Sequence, residues 1–195
     1  VRWLQNRDRT KPFYMNYWQF SVHAPFGAKP ELIDRYREKM DLDSLQRSPT
    51  YAAMVHSLDD AVGSLLDALE AEGIADETVI VFYSDNGGNI HCGLEETDAS
   101  GEKYITAITS NHPLRGGKGN IREGGIRVPT IAWGPKSLVK PGKTDHISAF
   151  WDLMPTFVEL SGAKPGKGFE TDGLSLVEYL KGGDAPERPY FYWEL

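Results

Sequence analysis

Val79-Ile-Val-Phe-Tyr-Ser-Asp-Asn-Gly-Gly88 is the stretch whose reading decides the fold. An apolar run stops abruptly at an acid, an amide and two glycines. Residues 79–83 are β-branched or aromatic and have no polar face, the pattern of a strand buried on both sides in a parallel sheet covered by helices. Ligands in open α/β sheets bind beyond the carboxyl ends of the strands, where Asp85 and Asn86 fall. Both offer hard oxygen ligands suited to Ca²⁺ or Mg²⁺. Asp, Asn and Gly are also the common turn residues, so on local sequence alone the segment reads first as a polar turn.

Around this strand the pattern is that of an α/β repeat. Ser48-Pro49 suits a helix start, with Ser48 as cap and Pro49 at the first helical position. Tyr51, Met54, Val55, Leu58, Val62, Leu65, Leu66 and Leu69 then follow helical spacing, and Gly73 is a natural stop. Phe13 to Phe20 reads as a strand, Glu31 to Met40 as a short helix and Arg127 to Trp133 as another strand. Phe150 to Leu160 and Leu174 to Leu180 read as helices. Residues 89–117 form a long polar stretch with no clear period, and loops that long are usually functional or disordered.

The chain has 195 residues, enough for one domain, and a formal net charge of -7. No basic run stands out, which argues against nucleic acid as a partner. No apolar stretch approaches the ~20 residues of a membrane-spanning helix. Cys92 is the only cysteine, so an intrachain disulfide is impossible.

Three groups of residues could carry chemistry. Asp85 and Asn86 are the first. The second is Pro113 to Pro129, rich in glycine and arginine, where Lys118 adds charge among backbone amides able to reach an anion. It lacks Walker spacing, so a nucleotide loop does not fit; a flexible basic loop does. The third is His23, able to bind an anion or protonate a leaving group, or to serve as a satisfied structural histidine. His91 and His112 flank the long loop and are weaker candidates for facing a substrate, whereas His56 and His146 read as structural or exposed.

Ser21-Val-His-Ala-Pro25, Ser84-Asp-Asn-Gly-Gly88, Gly117-Lys-Gly119 with Glu123-Gly-Gly-Ile-Arg-Val-Pro129, and Trp151-Asp-Leu-Met-Pro-Thr156 occur in this order. Their order and spacing resemble the type I sulfatases, the formylglycine-dependent members of the alkaline phosphatase superfamily. Tyr51 to Leu69, with Leu58-Asp59 and Val62-Gly63, also resembles the helix that family places before its metal-binding strand. The resemblance covers nearly the whole chain.

It implies an α/β fold, part of a mixed, mostly parallel sheet flanked by helices, and hydrolysis of sulfate esters on a sulfated small molecule or glycan. It implies Asp85 and Asn86 as ligands of a divalent cation, usually Ca²⁺ with Mg²⁺ possible. Lys118 would touch the sulfate and the bridging oxygen. His23 would bind the ester and help protonate the leaving alcohol, and His112 is an added candidate for substrate contact. Glu123-Gly-Gly and Arg127 read as structural. A phosphodiesterase or phosphonate hydrolase of the same superfamily, or a non-catalytic metal- or anion-binding module, are the competing readings.

The departures matter as much. The family's nucleophile, a formylglycine, arises from Cys or Ser in Cys/Ser-x-Pro/Ala-x-Arg. Cys92 is followed by Gly93, Leu94, Glu95 and Glu96, and Ser161-Gly-Ala-Lys-Pro165 lacks the arginine. The family's first aspartate pair is also absent, since Asp59-Asp60 lies within the helical stripe. The chain, opening at Val1 and closing at Tyr190 to Leu195, is therefore expected to be a fragment: residues 1–195 as one incomplete domain, the C-terminal portion of a sulfatase catalytic domain. It would lack the nucleophile region and the small C-terminal subdomain. Alone, it is expected to be inactive and poorly stable. The resemblance also implies a periplasmic, extracellular or lysosomal location.

Overall fold

A computed structural model of the chain describes residues 1–164, 166–168 and 170–194. Pro165 of the serine segment and the terminal Leu195 lie outside the described residues. In chain order the elements are α1 (Arg2–Gln5), α2 (Pro30–Arg37), α3 (Pro49–Ala71), β1 (Ile80–Tyr83), β2 (Gly93–Thr97) and β3 (Lys103–Ala107). Then follow α4 (Glu123–Ile126), β4 (Thr130–Trp133), α5 (Leu153–Leu160) and α6 (Val177–Leu180). Short 3₁₀ turns cover Ala75–Glu77 and Phe150–Asp152. The chain forms two compact units: residues 1–74 with 86–128, and residues 75–85 with 129–194.

The first unit is organised by α3. Its predicted cap forms, with Ser48 Oγ accepting the Tyr51 N–H at 3.1 Å. Gly73 closes the helix at φ 70°, a left-handed conformation that suits glycine. Met54 and Leu69 of the predicted stripe are buried, whereas Val55 is exposed. The Tyr36 hydroxyl of α2 meets His56 Nδ1 of α3 at 3.0 Å, a structural role for that histidine. Arg7 binds the Leu4 carbonyl and Glu72, both at 2.7 Å, and so ties the start of the chain to the end of α3.

A long-range contact secures the start of α3. Glu96 of β2 is only 5% exposed. Its carboxylate accepts from Ser48 Oγ at 2.5 Å, from the Thr50 N–H at 3.1 Å and from Thr50 Oγ1 at 3.0 Å. An anion there meets unsatisfied first-turn N–H groups and the positive end of the helix dipole. Replacing Glu96 with alanine leaves these buried donors without an acceptor, at an expected cost of about 1–3 kcal/mol. A urea melt of the variant reads this directly, and an unchanged midpoint would contradict it.

Residues 89–117 are not one irregular loop. They contain the antiparallel hairpin β2–β3, in register from Gly93 opposite Ala107 to Thr97 opposite Lys103. The reversal is an Asx turn in which Asp98 accepts the Ser100 N–H at 2.8 Å and the Glu102 N–H at 2.9 Å. Conversely, the strand expected over Phe13 to Phe20 is not present, because no regular ladder forms along these residues among the described ones. Trp18 and Phe20 are 86% and 92% exposed.

In the second unit β1 pairs antiparallel with β4, from Ile80 opposite Trp133 to Tyr83 opposite Thr130. The strand expected at 79–83 is thus confirmed, but its parallel pairing and burial on both faces are not. Among the described residues both ladders are antiparallel. With one neighbouring strand, β1 stays half-buried and ends in an exposed Tyr83. The helix at Phe150 to Leu160 appears as a 3₁₀ turn leading into α5, and α6 follows within the second predicted helical segment. No helix among the described residues is long and apolar enough to cross a membrane.

Candidate active site

The Asn86 segment and the Lys118 loop, separate in sequence, pack together in the first unit. The Gly87 N–H donates to the Gly125 carbonyl at 2.9 Å, and the Lys118 N–H donates to the Gly88 carbonyl at 3.0 Å. The packing leaves no room for side chains. A Cβ on Gly87 would lie 1.8 Å from the Gly124 carbonyl oxygen, and one on Gly125 would lie 1.8 Å from that of Asn120. Close backbone approach therefore explains these glycines. Glu123 and Arg127, at the two ends of α4, pair at 3.3 Å, in keeping with their structural reading.

Lys118 and His23 meet. The Lys118 ammonium lies 3.0 Å from His23 Nε2, across 95 residues of sequence. His23 Nδ1 lies 2.9 Å from the Ala24 carbonyl oxygen. A carbonyl only accepts, so this contact requires the proton on Nδ1. Nε2 is then the nitrogen that accepts from Lys118 and faces outward chemistry. His23 is exposed and Lys118 half-buried, so the pair is reachable from solvent.

Asn111, which sequence reasoning missed, sits behind Lys118. Its Oδ1 accepts the Gly88 N–H at 3.0 Å, and its Nδ2 donates to the carbonyls of Gly88 at 3.0 Å and Gly116 at 3.1 Å. The available signal was an asparagine between the hairpin and a glycine-rich loop, but partners that are backbone atoms leave no mark in sequence.

Asp85 is exposed and directly precedes Asn86. Asn86 Nδ2 donates to the Gly87 carbonyl at 2.8 Å, so the amide would meet a cation through its oxygen. This donor set, a carboxylate and an amide oxygen, fits a hard divalent cation. Among the described residues no group of three or more His, Cys, Asp or Glu side chains converges. His112 lines a cavity of about 370 Å³ with Asp43, Arg47, Thr106 and Asn111. His91 is exposed, and Cys92 accepts a hydrogen bond from Asn89 Nδ2 at 3.2 Å.

Comparison with known proteins points one way. The Sulfatase family model matches residues 1–163. A sulfatase of Formosa agariphila is 35% identical over 191 residues, covering 90% of this chain and 31% of that protein. Human N-acetylgalactosamine-6-sulfatase is 30% identical over 191 residues, covering 97% of this chain and 32% of that protein. The crystal structure of Ps i-CgsB in complex with k-i-k-neocarrahexaose aligns with a TM-score of 0.67 at 33% identity, over 84% of this chain and 32% of that one. The chain spans about a third of the length of these relatives.

Proposed function

The chain belongs to the sulfatase family, and we propose that it supplies the anion-binding and leaving-group side of a site that hydrolyses sulfate esters. The observation that carries this reading is the Lys118–His23 contact, which joins a fixed positive charge to a proton-bearing imidazole.

As the ester bond breaks, negative charge grows on the bridging oxygen. Lys118 places its ammonium there, and charge aimed at a developing anion is worth most in the transition state. His23 keeps Nδ1–H on the Ala24 carbonyl, and its Nε2 accepts from Lys118 in the free site. Nε2 is therefore the nitrogen that would take up a proton once the ester draws the ammonium away and pass it to the leaving alcohol. Asp85 and Asn86 would hold a divalent cation, Ca²⁺ or Mg²⁺. When bound, the cation supplies positive charge that neutralises the oxygens of the sulfate group. Ca²⁺ takes six to eight oxygens, so these two residues form part of its shell. None of the 195 residues lies in a Cys/Ser-x-Pro/Ala-x-Arg motif, and the chain alone is expected to turn nothing over.

A sulfated glycan is the substrate class we favour. Its support is the set of relatives, named for N-acetylgalactosamine-6-sulfate or crystallised with neocarrahexaose. The family also supports an exported location, whether periplasmic, extracellular or lysosomal.

The test compares an aryl sulfate with an aryl phosphodiester, using the full protein that carries this chain, before and after chelation. Sulfate release should dominate, and chelation should abolish it. Asp85→Ala should weaken the apparent cation affinity by at least about tenfold, the lower end of what outer-shell partners cost. A preference for the phosphodiester would overturn the reading in favour of a phosphohydrolase. Binding without turnover would favour a binding module.

A further inference from the structure

We propose that Asn111 is the positioning residue of this site: its amide clamps the Lys118 loop to the segment after Asn86 and thereby sets the Lys118–His23 contact. This rests on the function proposed above.

Gly88 offers one N–H and one carbonyl. The N–H goes to Asn111 Oδ1, and the carbonyl receives both Asn111 Nδ2 and the Lys118 N–H. The remaining Nδ2 hydrogen goes to Gly116, two residues before Lys118. The amide orientation is dictated, because a flipped group would set its oxygen against two carbonyls and its NH₂ against an N–H. Space is equally tight: a Cβ on Gly117 would lie 2.9 Å from Asn111 Nδ2, and one on Gly88 would lie 2.8 Å from Oδ1. Only an amide both accepts from Gly88 and donates to two carbonyls here. An aspartate of the same size keeps the first bond and turns the other two into repulsions. The backbone of Lys118 is then no longer held against residue 88, and its ammonium has no fixed reach to His23.

The test follows histidine ¹⁵N resonances in the full protein at about pH 8, where ordinary imidazoles are neutral. Lys118→Met defines the His23 Nε2 signal without the contact. Asn111→Asp should move that signal at least halfway to the Lys118→Met value. His56, bonded to Tyr36, and His146, packed on Tyr179 at 4.8 Å, should stay in place and report an intact fold. A folded Asn111→Asp protein with an unmoved His23 overturns the proposal. If that variant does not fold, Asn111→Ala decides by the same signals; loss of the fold in both makes Asn111 a structural residue and overturns it as well. Sulfate-ester turnover is assayed separately. A protein that moves His23 as expected but prefers phosphodiesters keeps the positioning role and loses the sulfatase reading.

Discussion

Replacing Lys118 with methionine in the full protein is expected to lower kcat/KM for an aryl sulfate by about 10²- to 10³-fold, or ~2.7–4 kcal/mol of transition-state stabilisation. Methionine keeps much of the side-chain length and removes the charge. The loss should fall mainly on kcat, because charge on the bridging oxygen is small in the bound ester and large as the bond breaks. The fold should survive, since Lys118 is held in place by its backbone N–H and not by its ammonium. Steady-state kinetics with a matched thermal melt separates the two. A drop of less than about threefold in a folded variant, under ~1 kcal/mol, would remove Lys118 from the chemistry.

Asp152→Ala is expected to be the most damaging substitution for stability, costing about 3–5 kcal/mol. Asp152 is 2% exposed. Its carboxylate accepts the Ala149 N–H at 2.8 Å and the Leu174 N–H at 2.8 Å, and it pairs with Arg188. Arg188 has a side chain only 12% exposed, with its guanidinium 4.6 Å from the centre of the Phe191 ring. Removing the acid strands a buried cation and two backbone donors together, and the strongest losses arise from partners left uncompensated. Thr156 extends the same junction: its hydroxyl donates to the Asp152 carbonyl at 2.6 Å and accepts the Leu176 N–H at 3.0 Å. Arg188→Met combined with Asp152→Ala should therefore cost less than the sum of the single changes. Urea unfolding of the four proteins checks this, and strict additivity would show that the pair does not act as a unit.

What the sequence made legible was whatever local chemistry determines. Ser48-Pro49 and the apolar stripe mark α3 without reference to the rest of the chain. The apolar run of β1 marks a strand. Its antiparallel partner does not follow from the run, because pairing direction depends on how the chain returns. The hairpin was hidden by its polarity. Glu95, Glu96 and Lys103 look like loop residues, yet Glu96 faces inward to the α3 start while Glu95 faces outward to Lys103 at 2.7 Å. That alternation is a period-2 signal carried by charged residues, which hydrophobic patterning overlooks. At the site, His23 and Lys118 entered as separate candidates, and only the family resemblance joined them before their contact did. Asn111 had no such route, because its three partners are backbone atoms.

The most direct test of the central claim is a titration of inorganic sulfate, the expected product, into the protein while the His23 and Lys118 side-chain resonances are followed. Saturable shifts of both signals are expected, with the His23 shift lost in Lys118→Met and with His56 and His146 unmoved. Shifts spread evenly over all histidines, or none at His23, would contradict a sulfate site built on this pair.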